Sequence, residues 1–277
     1  MKDVEGVVEE DGVEVLYRYK YLPFNDGSLK VISEGTLKFT CPLEFNDPFD
    51  CFPYFDPASI ESICEERPDL IKRAAEFKGI TYEQMLQGKS ELVDFIKHSV
   101  DSGRYIEHLM SMTGVLSLSR DPTNILMWSH YANHHRGFLV ELRIPMNAPD
   151  ELLDFILPME VIYSDARPVV RWGVNDARDI EKYFLVKNID WSYEEEERVV
   201  TRQQGPGVYE YSRQYFLNSV IAGPRIDAVE FERLKRVVEK ASGDIGRQVP
   251  IFEAKLSNSI YKVYIPGHPN TKFSSEA

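Results

Sequence analysis

At 277 residues, 43% of them hydrophobic, the chain is long enough for one large domain or two small ones around a sizeable core. A formal charge of −13 argues against non-specific binding to duplex DNA, which needs clustered Lys and Arg against the phosphates. No run of about eighteen apolar residues and no signal-type N-terminus occurs, and Cys41, Cys51 and Cys64 form neither a CxxC pair nor an even set; a cytoplasmic chain with free thiols and no membrane association is expected.

Residues 1–12 are acidic and are expected to fray. From Val13 to Tyr21 the sequence alternates as a strand, with Val15, Tyr17, Tyr19 and Tyr21 on one face and Arg18 and Lys20 on the other. Asn25 to Ser28 caps a short helix through Leu29, Val31 and Ile32, which Gly35 stops before a strand from Thr36 to Thr40. The loop Pro42-Leu43-Glu44-Phe45-Asn46-Asp47-Pro48-Phe49-Asp50 is dense in turn formers, and Asn46 and Asp47 can either bond their own backbone or face a ligand.

Residues 58–112 carry apolar residues at three and four spacing, broken by Pro68, Gly79 and Gly88, and are expected to form a helical insertion or cap. A strand from Thr113 to Ser119 follows. Asp121-Pro122 then makes a turn, and Thr123 can cap a short helix from Asn124 to Asn133. Gly137 to Ile144 reads as a buried strand. This unit sets Ser117, Ser119, Arg120, Trp128, His130, Tyr131, His134 and His135 near one apolar wall, as a small-molecule pocket requires. His130 and His134 lie one helical turn apart, but no Glu adjoins His130 as a metalloprotease pattern needs, so no metal site is expected.

Val161 to Tyr163 is expected as a strand and Asp176 to Val186 as a helix. Asp190-Trp191-Ser192-Tyr193 then leads into four consecutive glutamates and Arg198. If a strand starts near Tyr193, Glu194, Glu196 and Arg198 share a face, and paired carboxylates beside an Arg can hold a cation or polarise a sugar hydroxyl. Tyr215 to Ala222 reads as a strand, Asp227 caps an amphipathic helix carrying Phe231, Leu234, Val237 and Val238, and Val249 to Leu256 and Ile260 to Ile265 read as closing strands. Residues 266–277 are polar and expected to be loose. Short strands and helices that do not alternate regularly point to an α+β fold, a single domain over 13–265 with a mixed, mostly antiparallel sheet and 58–112 as its helical insertion.

Several blocks together resemble a bacterial family, domain of unknown function 2971. They are Leu16-Tyr17-Arg18-Tyr19 with Phe45-Asn46-Asp47-Pro48-Phe49, Met127-Trp128-Ser129-His130-Tyr131 with Arg136-Gly137, Trp191 to Arg198, and Ala222-Gly223-Pro224-Arg225. That family label implies no reaction. A second resemblance, to ADP-ribosyltransferase folds, rests on the order Arg18, then Ser117 or Ser119, then Glu194-Glu195-Glu196, although Arg18 lacks the usual following Ser, Thr or Gly.

The second resemblance implies an NAD-using transferase of a defence or toxin system. Glu196 and Glu194 would be its catalytic residues, and Arg18, Asn46, Asp47, Ser119, Trp128, His130, Tyr131 and Arg198 would bind the nucleotide. The acceptor, a protein or nucleic acid, is left open. The competing class is a non-catalytic nucleotide- or partner-sensing module in a stress or phage-defence system, with the same pocket binding and nothing cleaved. A nuclease is disfavoured because Asp47, Asp50 and the glutamates lack an Asp…Glu-x-Lys order.

Overall fold

The computed structural model describes residues 7–171 and 183–276. The fold is α+β, built on an eight-stranded, mostly antiparallel sheet. Its strands are β1 (Val7–Glu10), β2 (Val13–Leu22), β5 (Gly114–Ser119), β6 (Phe138–Pro145), β7 (Met159–Glu160), β11 (Glu196–Thr201), β13 (Leu217–Ala222) and β14 (Ile251–Glu253). The order is β14-β13-β6-β2-β5-β11-β7, with β1 folded back on β2, and β13 and β14 form its parallel pair. The shorter strands are β3 (Thr36–Phe39), β4 (Tyr54–Asp56), β8 (Ile162–Ser164), β9 (Val169–Arg171), β10 (Val186–Asn188) and β12 (Gly207–Glu210), which pair outside this sheet.

Strand alternation gives the sheet two different faces. Leu16 and Leu22 of β2, Leu116 and Leu118 of β5, Val140 and Leu142 of β6 and Val199 of β11 join the larger core. Against it pack Leu29, Val31 and Ile32 of helix α1 (Asp26–Ser33) and Leu234, Val238 and Ala241 of the long helix Ala228–Ile245. Those last three recur at i, i+4 and i+7, one stripe of a helix capped by Asp227, whose side chain accepts from the Val229 amide. On the other face Tyr19, Tyr21, Leu139 and Ile221 meet Met127 and Trp128 of the short helix Ile125–Tyr131, and Val263, Ile265 and Phe273 of the C-terminal segment.

Residues 57–111 form six helices, Pro57–Glu61, Ile63–Glu66, Pro68–Lys78, Tyr82–Gln87, Lys89–Asp101 and Arg104–Ser111. Ile60, Ile63, Ile71, Ala75, Met85 and Ile96 give them a core of their own, while Ile106, Leu109 and Met110 of the last helix pack with Cys51 and Phe184.

Several expectations are corrected. Of the residues 1–12 expected to fray, 1–6 lie outside the described residues, and 7–12 are ordered: β1 forms a hairpin with β2 across Asp11-Gly12, whose φ values of 50° and 79° are the left-handed pair that a tight two-residue hairpin turn demands. The C-terminal stretch is anchored, because Phe273 is buried against Tyr19 and buried His268 bonds Glu141. The cap of helix Ile125–Tyr131 is Asn124, whose Oδ1 accepts from the amides of Leu126 and Met127; Thr123 is instead bonded to Asp121 through its amide and hydroxyl. Of the helix expected from Asp176 to Val186, residues 176–182 lie outside the described residues, and Val186 begins a strand that pairs in parallel with β8.

Trp128 is fully buried, packs edge-on to Tyr21 with ring centres 5.4 Å apart, and donates its indole N–H to the Pro122 carbonyl at 2.9 Å. Beyond it three consecutive residues, Asn133, His134 and His135, take positive φ, and the amides of His134 and His135 turn back to the carbonyls of Ser129 and Trp128. Replacing Trp128 by Ala is expected to cost about 3–5 kcal/mol in urea unfolding, the range for deleting a large buried aromatic. The smaller Trp128→Phe should still cost about 1–3 kcal/mol, because it strands the Pro122 carbonyl.

Candidate functional site

The second face of the sheet ends in a cavity of about 370 Å³. Its wall is built from Tyr19, Lys20 and Tyr21 of β2, Ser117 to Ser119 of β5, Met127, His130 and Tyr131 of the short helix, Thr40 and the loop residues Glu44, Phe45, Asn46 and Asp50, and Lys187, Glu194, Glu196 and Arg198. Aromatic faces and convergent polar groups in one open concavity are the usual make-up of a small-molecule site.

Behind the wall lies a buried ionic network with Arg198 at its centre. All five guanidinium N–H groups are used. Nε and Nη2 donate to Glu196 at 2.8 and 2.9 Å, Nη1 and Nη2 donate to Asp50 at 2.9 and 2.7 Å, and Nη1 also donates to the Phe184 carbonyl at 2.7 Å. The Phe45 ring lies 5.4 Å from the guanidinium carbon. Lys187, carried by β10 and covered by Trp191, donates to Glu194, to Glu196 at 2.9 Å, and approaches Asp50 at 3.5 Å. Two cations thus hold three buried carboxylates.

Glu194 and Glu196 converge for a reason other than a shared strand. Residues 189–194 form a 3-10 helix and β11 starts only at Glu196. Between them Glu195 takes φ 43°, a left-handed conformation that costs a non-glycine residue about 1–2 kcal/mol. The turn is clamped from outside: Ser119 Oγ donates to the Glu194 carbonyl at 2.7 Å, Asn124 Nδ2 to the Tyr193 carbonyl at 2.9 Å, and the Arg120 amide to the Glu195 carbonyl at 3.1 Å. Both carboxylates are thereby delivered to Lys187.

The two glutamates differ in proton affinity. Burial raises Glu194 above the ordinary carboxylate range, reinforced by the charge of Glu196 and only partly offset by Lys187 and by the Tyr131 hydroxyl, which donates to Glu194 at 2.6 Å. Burial alone would raise Glu196 too, but Arg198 and then Lys187 more than reverse it and hold that carboxyl well below the range. Neighbouring acids driven apart in this way occur at sites of proton transfer and also within structural ion-pair networks.

Of the residues the sequence nominated, Asn46, Ser119, His130, Tyr131, Glu194, Glu196 and Arg198 meet at this cavity. Three do not line it. Arg18 points to the opposite face, where it crosses β5 to a fully buried pairing with Glu197 at 2.5 and 2.8 Å. Trp128 lies a layer behind Tyr21 in the core. Asp47 accepts from the Phe49 amide at 2.8 Å and shapes the loop. Ser119 reaches the wall, but its hydroxyl positions Glu194. Asp50, Lys187 and Lys20 were missed: nothing local in sequence ties a loop Asp or a strand Lys to Arg198, because the pairing spans 148 residues in the case of Asp50.

Arg198→Met is expected to lower stability by about 3–5 kcal/mol in urea unfolding, since it leaves Asp50 and Glu196 buried without their cation. Arg198→Lys should recover little of this, because one ammonium cannot fork two carboxylates. The acids also set opposite pH dependences. Glu196, lowered in the fold, contributes stability that is complete above its ordinary pKa and lost as pH falls through its folded value. Glu194, raised in the fold, contributes stability that is complete below its ordinary pKa and lost as pH rises through its folded value. Glu194→Gln should therefore flatten the decline on the alkaline side and keep the acid limb.

No described helix is long and apolar enough to cross a membrane. Comparison with curated proteins and with solved structures gave no match, so neither bears on the ADP-ribosyltransferase resemblance. A family model described as "Protein of unknown function (DUF2971)" matches residues 127–199. That segment carries Met127, His130, Tyr131, Lys187, Glu194, Glu196 and Arg198 of the cavity wall, while the rest of the wall, from Tyr19 to Ser119, precedes it in the chain. Over residues 127–199, therefore, the chain is similar to the DUF2971 family.

Proposed function

We propose that the cavity binds a nucleotide, NAD, and transfers its ADP-ribosyl group to a protein or nucleic-acid acceptor, with Glu194 as the proton-transfer group. The observation that carries this reading is the pair of glutamates held at opposite proton affinities in one open cavity. Ionised Glu196, fixed by Arg198 and Lys187, supplies preorganised negative charge toward a sugar carbon that becomes cationic. Glu194, with its raised proton affinity, is the stronger base.

In the transfer the bond from the sugar C1′ to the nicotinamide nitrogen breaks, and its electron pair neutralises the departing pyridinium. An acceptor oxygen bonds to C1′, and its proton passes to Glu194. Tyr131 and Lys187, each bonded to Glu194, orient it and accommodate the change of charge. Arg18 and the Ser119 hydroxyl have no direct part, since both are bound within the protein, and the reading rests on the carboxylates without the Arg-Ser-Glu order.

A second reading, a sensing module that binds and does not cleave, is favoured by one observation. All five Arg198 donors are used inside the protein and Lys187 is ringed by three carboxylates, as in a network built for rigidity. Nicotinamide release from NAD, followed by chromatography, separates the two. The transferase is expected to release nicotinamide, and Glu194→Gln to slow release by about 10²-fold or more while retaining NAD binding. NAD binding without release by the unaltered protein would favour the sensor, and neither binding nor release would contradict the NAD assignment.

A further inference from the structure

Lys20 lines the cavity outside the Arg198 network. It lies on the same face of β2 as Arg18, yet the two side chains go to different places, and the sheet geometry says why. Strands β2 and β5 are joined by a single residue pair, Tyr19 with Ser119, and separate beyond it. Past the separation β5 turns to Thr40 instead: the Val115 amide and carbonyl bond Thr40 at 2.9 and 2.8 Å. By strand alternation the Ser117 carbonyl points the same way, into the opening. Lys20 fills that opening and donates to this carbonyl at 2.8 Å. Arg18, on the near side of the pair, runs over β5 to Glu197. The split in the sheet therefore carries the Lys20 ammonium to the cavity.

The charges there are unequally matched. Arg198 and Lys187 are bonded to carboxylates. Among the described residues lining the cavity, Lys20 is the one lysine or arginine with no carboxylate in ion-pair contact. An ammonium has three donors, and the one bond to Ser117 leaves two for a ligand.

Resting on the reading of this cavity as a nucleotide site, we infer that Lys20 anchors a phosphate-type oxyanion of the ligand. The inner network supplies no free cation for such a group, whereas Lys20 combines an ammonium that contacts no carboxylate with unused donors at the same wall as Tyr21 and Phe45, whose rings can flank a sugar or base. Burial lowers the Lys20 ammonium to about 8, with Lys38 adding to the effect and Glu196 opposing it; an anion docked beside it would restore the charged form.

The test is pyrophosphate and ADP binding by calorimetry to the full chain, with succinate as the carboxylate control. Unaltered protein is expected to bind pyrophosphate and ADP. Lys20→Met should weaken both by about tenfold or more, the loss of a charge-assisted contact, while Lys20→Arg holds binding within about threefold. A second measurement needs no variant: reductive methylation of the unaltered protein, read by peptide mass spectrometry, should label Lys20 and be suppressed there by pyrophosphate. Binding by Lys20→Met equal to that of the unaltered protein, labelling of Lys20 indifferent to pyrophosphate, or Lys20-dependent binding of succinate in place of pyrophosphate would each overturn the inference. Nicotinamide is not read in either measurement, so failure of the transferase reading and failure of the Lys20 anchor remain distinct.

Discussion

Arg198 reaches two carboxylates from distant parts of the chain with one rigid, always charged fork, and the arrangement of the cavity follows from that contact. Asp50 closes the loop after β3, Glu196 opens β11, and the guanidinium between them is wholly buried. Removing a guanidinium from water is costly, and the cost is offset here because every N–H finds an acceptor at good distance. Lys187 adds a second cation to the same carboxylates, and Glu194, next in line, is left with a weaker share of positive charge and a higher proton affinity. The split between Glu194 and Glu196 is thus a consequence of where the cations stand.

The backbone strain at Glu195 belongs to the same arrangement. A relaxed strand through residues 193–196 would also have set Glu194 and Glu196 on one face, but the chain here leaves a 3-10 turn through a left-handed residue before β11 begins. Bonds from Ser119, Asn124 and Arg120 hold that turn. Asn124 also caps the helix that brings Tyr131 to Glu194, so one side chain joins the turn before β11 to the aromatic wall. Behind both, Trp128 fixes the helix on the sheet and the left-handed residues 133–135 return the chain to β6.

Much of the fold was legible in the sequence because period and punctuation were local. The alternation through Val13–Tyr21 and the Asp227 cap are each decided within a few residues. Asp11-Gly12 carried an equally local hairpin signal that acidity obscured. The site was legible only in part. Glu194, Glu196, Arg198, His130 and Tyr131 stand in dense runs and were nominated together, whereas Asp50, Lys187 and Lys20 acquire their roles through long-range pairing. Arg18 was misplaced for a related reason. Alternation put it on the same face as Lys20, but only the tertiary separation of β2 from β5 decides which of the two reaches the cavity and which is taken by Glu197.

The central claim is that two glutamates in one cavity are held at opposite proton affinities, and it can be read directly. A pH titration of glutamate side-chain carbons by NMR, on protein labelled at those carbons, should show one buried resonance titrating above the ordinary carboxylate range and absent from Glu194→Gln. A second, absent from Glu196→Gln, should remain ionised to the acid limit of the folded state. Titration of both at or below the ordinary value would contradict the account, because Glu194 would then lack the proton affinity that its place in the network assigns to it.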